Sequence, residues 1–210
     1  HIQGLQFFTP AFQAGNHFRL LGSPSLLRSL ELVLRQQMSP VVFPVAFDDL
    51  HARMEFRELS DDGHRENGID VRAINVRHPG GALGFRLAPP GAPDRSIVFI
   101  PDNELDRFGD QADGAPTRDQ LVRFAAGARV LIHDAMYTGA EYMDHRGWGH
   151  SSYRDAVDFA IAAGVETLVL FHHDPDRTDE ALSAQLALCH QMVRERGGSV
   201  VVVAGTEGME

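Results

Sequence analysis

Along the chain, hydrophobic and polar positions alternate with a period near two in some stretches and recur at helical spacing in others. Residues 17–21 read as a short strand. Leu26, Leu27, Leu30 and Leu34 then share one face of a helix that Ser25 caps and that Pro40 and Pro44 stop beyond Gln37. Alternation returns over 52–59 and over 69–76, the latter ending in RHPGG, and strands follow at 83–88 and 96–100 around a PPGAP loop. Thr117 caps a helix over 117–126, and the buried strand 129–132 ends in His133 and Asp134. A polar loop carries His150. Ala156, Phe159, Ala160 and Ala163 mark the helix after it, which ends near Gly164 and leads into the apolar strand 167–171. A last helix over 177–196 and a strand over 199–204 close the chain. Strands alternating with helices predict an α/β fold, and 210 residues suffice for one domain over 1–210.

The chemistry collects where the predicted strands stop. His78, Asp102, His133 with Asp134, and His172 with His173 each follow a strand end. Backbone there is rigid behind and open in front, which is where α/β proteins gather ligands. Imidazole nitrogen and carboxylate oxygen are donors for zinc, manganese or iron. Each residue also has a plainer reading. His78 before Pro-Gly-Gly shapes a turn, Asp102 accepts in an Asx turn, and His150 caps a helix, although Ser151 and Ser152 suit that task better. Neighbours on a strand face opposite ways, so one of His172 and His173 faces any such site. Trp148 and Tyr142 line a pocket or plug the packing, and Cys189 is expected to be buried and inert.

Composition narrows the classes. With 19 basic and 29 acidic residues, a net charge of -10, the chain is not built to hold a nucleic-acid backbone over its whole surface, although a local basic cleft stays open. One cysteine excludes a disulfide framework and thiolate zinc fingers, which fits a reducing cytoplasm. No apolar run has the length of a membrane span.

The order HIQG, RHPGG, IVFIPDNE, VLIHDAMY and GHSSYRDAVDFAIAAGVETLVLFHHDP resembles the metallo-β-lactamase superfamily, in particular its phosphodiesterase branch of tRNA 3′-processing ribonucleases and cyclic phosphodiesterases. The resemblance covers nearly the whole sequence. It implies the αββα sandwich of that superfamily, without the N-terminal strands that would complete the first sheet. His1 is similar to the last histidine of the motif His-x-His-x-Asp-His, whose earlier members would lie upstream. The resemblance further implies two divalent metal ions, zinc foremost and manganese or iron otherwise. His1 and His172 would serve one, His78 the other, and Asp102 would bridge them. A hydroxide held by both ions would attack phosphorus. His150 matches the histidine beside the scissile phosphate, and Asp134 falls where the ribonucleases carry a supporting glutamate, with a shorter reach.

The expected function is a metal-dependent phosphodiesterase acting on a small or cyclic phosphodiester. The acidic charge and the lack of a long glycine- and lysine-rich insertion set the tRNA-processing ribonuclease second. A sensor or binding scaffold of the same fold is the alternative from another class. Because the branch commonly pairs, a homodimer is open.

Overall fold

The computed structural model describes residues 3–22, 24–59, 63–105 and 115–209. Internal contacts divide the chain into two compact units, His1–Asp62 and Gly63–Glu210.

In the first unit, β1 (His17–Gly22) and β2 (Arg53–Glu58) pair in parallel, with His17 opposite Arg53. Parallel neighbours need a crossover, which here contains α1 (Pro24–Gln37). The helix starts two residues earlier than a cap at Ser25 would have it. Pro24 occupies its first position, where a missing N–H costs nothing, which puts Ser25 at the second helical position. Ala11, Leu34, Met38, Phe47 and Leu50 form this unit's core.

The second unit is built on a seven-stranded sheet in which sequence order is spatial order. Its strands are β3 (His64–Glu66), β4 (Ile69–Val76), β5 (Ala82–Ala88), β6 (Ile97–Ile100), β7 (Val130–Asp134), β8 (Thr167–Phe171) and β9 (Val201–Ala204). Pairing is antiparallel from β3 to β6 and parallel from β6 to β9. The parallel half is wound through α2 (Arg118–Ala125), α3 (Gly139–Asp144), α4 (Tyr153–Ala163) and α5 (Asp179–Glu195). Thr117, Thr138, Ser152 and Thr178 cap these helices, each hydroxyl accepting from a backbone N–H of the first turn.

Alternate residues of the parallel strands, Val98, Ile100, Leu131, Leu168, Leu170 and Val202, are buried with Leu121, Ala156, Phe159, Ala160 and Cys189 of the helices. Removing a side chain of this size from water contributes about 1.5–3 kcal/mol. The alanines of α4 let the helix lie close to β7 and β8, which it contacts. Burial pushes the Cys189 thiol up to about 12, so it behaves as a small apolar group.

Strand direction positions the site. β4 and β6 are both antiparallel to β5, so they run the same way, and β7 and β8 run with β6. The C-terminal ends of β4, β6, β7 and β8 therefore share one edge of the sheet. Among the described residues no helix is long and apolar enough to cross a membrane.

Candidate active site

Each strand reaching that edge is followed by a polar side chain: His78 beyond β4, Asp102 beyond β6, Asp134 at the end of β7 and His172 directly after β8. One ligand atom each from His78, Asp102 and His150 lies within 4.8 Å of the others, and all three residues are partly exposed. His172 joins them from the side. Its Nδ1 is 3.3 Å from Asp102 Oδ1, and its ring stacks on that of His150 at 4.6 Å between centroids and 16° between planes. His172 holds this place with φ at +57°, a region that costs a residue with a Cβ about 1–2 kcal/mol. His173 has its Nε2 buried without a hydrogen-bond partner, and burial lowers its pKa. His1 lies outside the described residues.

His78 fits because its neighbour is glycine. Gly149 has φ at +89°, and a Cβ there would stand 2.5 Å from both His78 Cδ2 and Pro79 Cδ. The His78 Nδ1 pairs with the Pro79 carbonyl at 2.9 Å.

Behind the rim, Asp134 is fully buried and its carboxylate is saturated. It accepts from the backbone N–H groups of Asn103, Met136 and Ser151 and from His150 Nδ1, the last at 2.6 Å. The shorter aspartate thus reaches the histidine. This bond raises the His150 pKa against the opposing effect of partial burial. Asn103, also fully buried, accepts from Arg77 N and donates to His133 Nε2, while His133 Nδ1 donates to the Asp134 carbonyl. The tautomer of His133 follows from this network. Ser151 Oγ donates to the Asn103 carbonyl at 2.6 Å and accepts from Leu105 N. Ser152, not His150, caps α4.

Glu104 and Asn103 were not among the sequence candidates. The Glu104 carboxylate, 5% exposed, accepts from Tyr142 Oη, Gly147 N and Gly149 N, and so fixes the loop before His150. Tyr142 is therefore packing. The available signal was the string Asp102-Asn103-Glu104 at a strand end, three polar residues where one ligand was expected.

The two imidazoles and the carboxylate of His78, His150 and Asp102, all partly exposed and with one ligand atom each within 4.8 Å, are a donor set that suits a divalent cation. The family model of the beta-lactamase superfamily domain matches residues 1–173, and the chain belongs to that superfamily. Ribonuclease Z of Pseudomonas putida is 30% identical over 163 residues, covering 68% of this chain and 47% of the relative. Ribonuclease Z of Thermoplasma acidophilum is 28% identical over 213 residues, covering 80% and 69%. Among solved structures, unliganded yeast PDE1 aligns with a TM-score of 0.72 at 14% identity, covering 99% of this chain and 64% of that one. The chain thus shares the α/β metallo-β-lactamase fold, and it spans about half the length of the P. putida relative.

Proposed function

We propose that the chain belongs to a metal-dependent phosphodiesterase. The observation that carries this is the 2.6 Å bond between buried Asp134 and partly exposed His150, in the group that His150 forms with His78 and Asp102, with His172 Nδ1 3.3 Å from Asp102. His78, Asp102 and His172 would hold metal, and the superfamily expectation adds His1 and a second ion. His150 is close enough to be counted among the ligands. The bond from its Nδ1 to Asp134 is also what orients a metal-ligating imidazole, so its part in proton transfer rests on the superfamily expectation.

When bound, divalent metal makes water nucleophilic near neutral pH and offsets charge developing on the phosphoryl oxygens. The chain's own residues do the rest. Asp134 holds the His150 ring by Nδ1 and stabilises its positive charge, which leaves the Nε2 proton for the leaving oxygen. Stacking on His172 fixes the plane of that ring. The Asn103 and Ser151 contacts hold Asp134 in place.

A small or cyclic phosphodiester is the favoured substrate, on the net charge of -10. The names of the P. putida and T. acidophilum relatives favour the second reading, 3′ processing of tRNA. The deciding experiment pairs metal content with hydrolysis of bis(p-nitrophenyl) phosphate, a cyclic nucleotide and a tRNA precursor. His172→Ala is expected to abolish metal-dependent hydrolysis with the fold retained. His150→Ala is expected to lower turnover about 10²–10⁴-fold with metal content unchanged. Full activity in either variant refutes the role given to that residue, and cleavage confined to the tRNA precursor selects the second reading.

A further inference from the structure

Three segments that carry candidate ligands meet at Glu104, a buried residue two positions after Asp102. Its backbone N–H donates to the Arg77 carbonyl at 2.9 Å, and the neighbouring Asn103 Oδ1 accepts from Arg77 N at 3.1 Å. Both backbone groups of the residue before His78 are therefore held from residues 103 and 104. The Glu104 carboxylate reaches the other way. Its Oε1 accepts from Tyr142 Oη and from Gly147 N, each at 2.8 Å, and its Oε2 accepts from Gly149 N at 3.1 Å. Gly149 lies so near His78 that a Cβ on it would stand 3.0 Å from the His78 Cα as well as 2.5 Å from the ring. The contacts close a circuit: the Glu104 N–H to Arg77, Arg77 to His78 through the peptide bond, His78 against Gly149, and the Gly149 N–H back to the Glu104 carboxylate. His150 follows Gly149 directly.

We infer that Glu104 is a positioning residue for the metal site: it supplies no atom to the group of His78, Asp102 and His150, yet it sets their affinity for a divalent cation by tying the turn of His78 and the loop of His150 to the strand end of Asp102. The inference rests on reading that group as metal ligands and not on which diester is cleaved. A carboxylate suits the task because it only accepts, and three donors converge on its two oxygens. An amide of the same shape has one oxygen and one NH₂. With its oxygen on Gly147 the NH₂ faces the Gly149 N–H, and with its oxygen on Gly149 it faces the Gly147 N–H. Either way one of the two glycine anchors meets a donor and is lost. Removal of the Tyr142 hydroxyl, by contrast, leaves both anchors in place. Groups that orient metal ligands from outside typically change metal affinity about ten- to a hundredfold when they are removed.

Zinc affinity tests this without turnover. Parent, Glu104→Gln and Tyr142→Phe, each stripped of metal, are titrated with zinc in competition with a chromogenic chelator, and denaturant unfolding of the same samples measures their stability. Glu104→Gln is expected to bind zinc about ten- to a hundredfold more weakly than the parent, and Tyr142→Phe to stay within about threefold of it, although both lose stability. Cobalt(II), whose visible absorption reports coordination geometry, gives a second readout that a purely structural role would not move: the spectrum of Glu104→Gln should differ from that of the parent, and that of Tyr142→Phe should not. Zinc affinity in Glu104→Gln within about threefold of the parent, or equal losses in the two variants, overturns the inference and leaves Glu104 as a buried acceptor that serves the fold alone. Should Glu104→Gln fail to fold, Glu104→Asp, which keeps the charge and shortens the reach towards the loop, takes its place with the same expected loss. A parent that binds no zinc rejects the ligand reading of His78, Asp102 and His150 and this inference with it. Zinc binding that weakens in Glu104→Gln, in a parent that does not hydrolyse bis(p-nitrophenyl) phosphate, rejects the phosphodiesterase and upholds the role of Glu104.

Discussion

His133 and His150 both lie against Asp134, and their surroundings drive them in opposite directions. His133 is fully buried, bonded to the Asn103 amide and the Asp134 carbonyl, and burial lowers its pKa despite the nearby carboxylate. His150 is partly open, takes the carboxylate itself at 2.6 Å, and has its pKa raised. One aspartate thus joins a dry, satisfied lattice to a wet rim. Residue type did not decide which histidine is structural and which is poised for proton transfer. Solvent access and the choice between a carbonyl and a carboxylate as partner did.

Asp134→Asn breaks this contrast most severely. The amide keeps the shape but cannot stabilise a positive ring, and its NH₂ meets N–H donors that need an acceptor. Turnover should fall about 10²–10⁴-fold, in line with loss of a general acid, while metal content by elemental mass spectrometry stays as in the parent. Turnover within a factor of about three of the parent would sink the assignment of the pair. His133→Leu probes the other side. It strands the Asn103 amide and the Asp134 carbonyl in a dry core, so denaturant unfolding should show a loss of about 1–3 kcal/mol. If His133→Leu removed turnover at parental stability, the division between lattice and rim would be wrong.

Much of this site was legible because strand ends carry a strong signal. The apolar runs before Asp102, Asp134 and His172 are short, β-branched or leucine-rich, and each stops at a polar residue. The α/β fold and the caps Thr117 and Ser152 followed from the same local rules. Other features depended on contacts far apart in sequence. Nothing local to Glu104 announces that it holds a loop more than forty residues onward. Asn103 looks like a turn residue until it is seen bonded to His133. The strand β3 escaped notice because three residues carry too little periodicity. The signal that would have found it is Asn67-Gly68, both at positive φ, joining Glu66 and Ile69 as a two-residue hairpin. Helix α3 was hidden likewise by its length of six residues.

The gentlest test concerns the frame around the loop. Arg177 was expected inside the last helix, but α5 begins after it, and the freed guanidinium grips Glu141 of α3 at 2.9 and 2.8 Å and the Met136 carbonyl at 2.9 Å. This contact, with the Thr138 cap, holds the Glu141 carboxyl down at about 2. A carboxyl lowered in the folded state adds stability that is complete above its unfolded value near 4.5 and is lost as pH falls towards about 2. Glu141 keeps 39% of its side chain exposed, so solvent screens the pair and the effect should not exceed about 1 kcal/mol. Glu141→Gln should therefore melt slightly below the parent at neutral pH, and the gap should close between pH 4.5 and about 2. A gap that stays constant across that window would mean that the side chain acts through packing and capping geometry, with its charge contributing nothing.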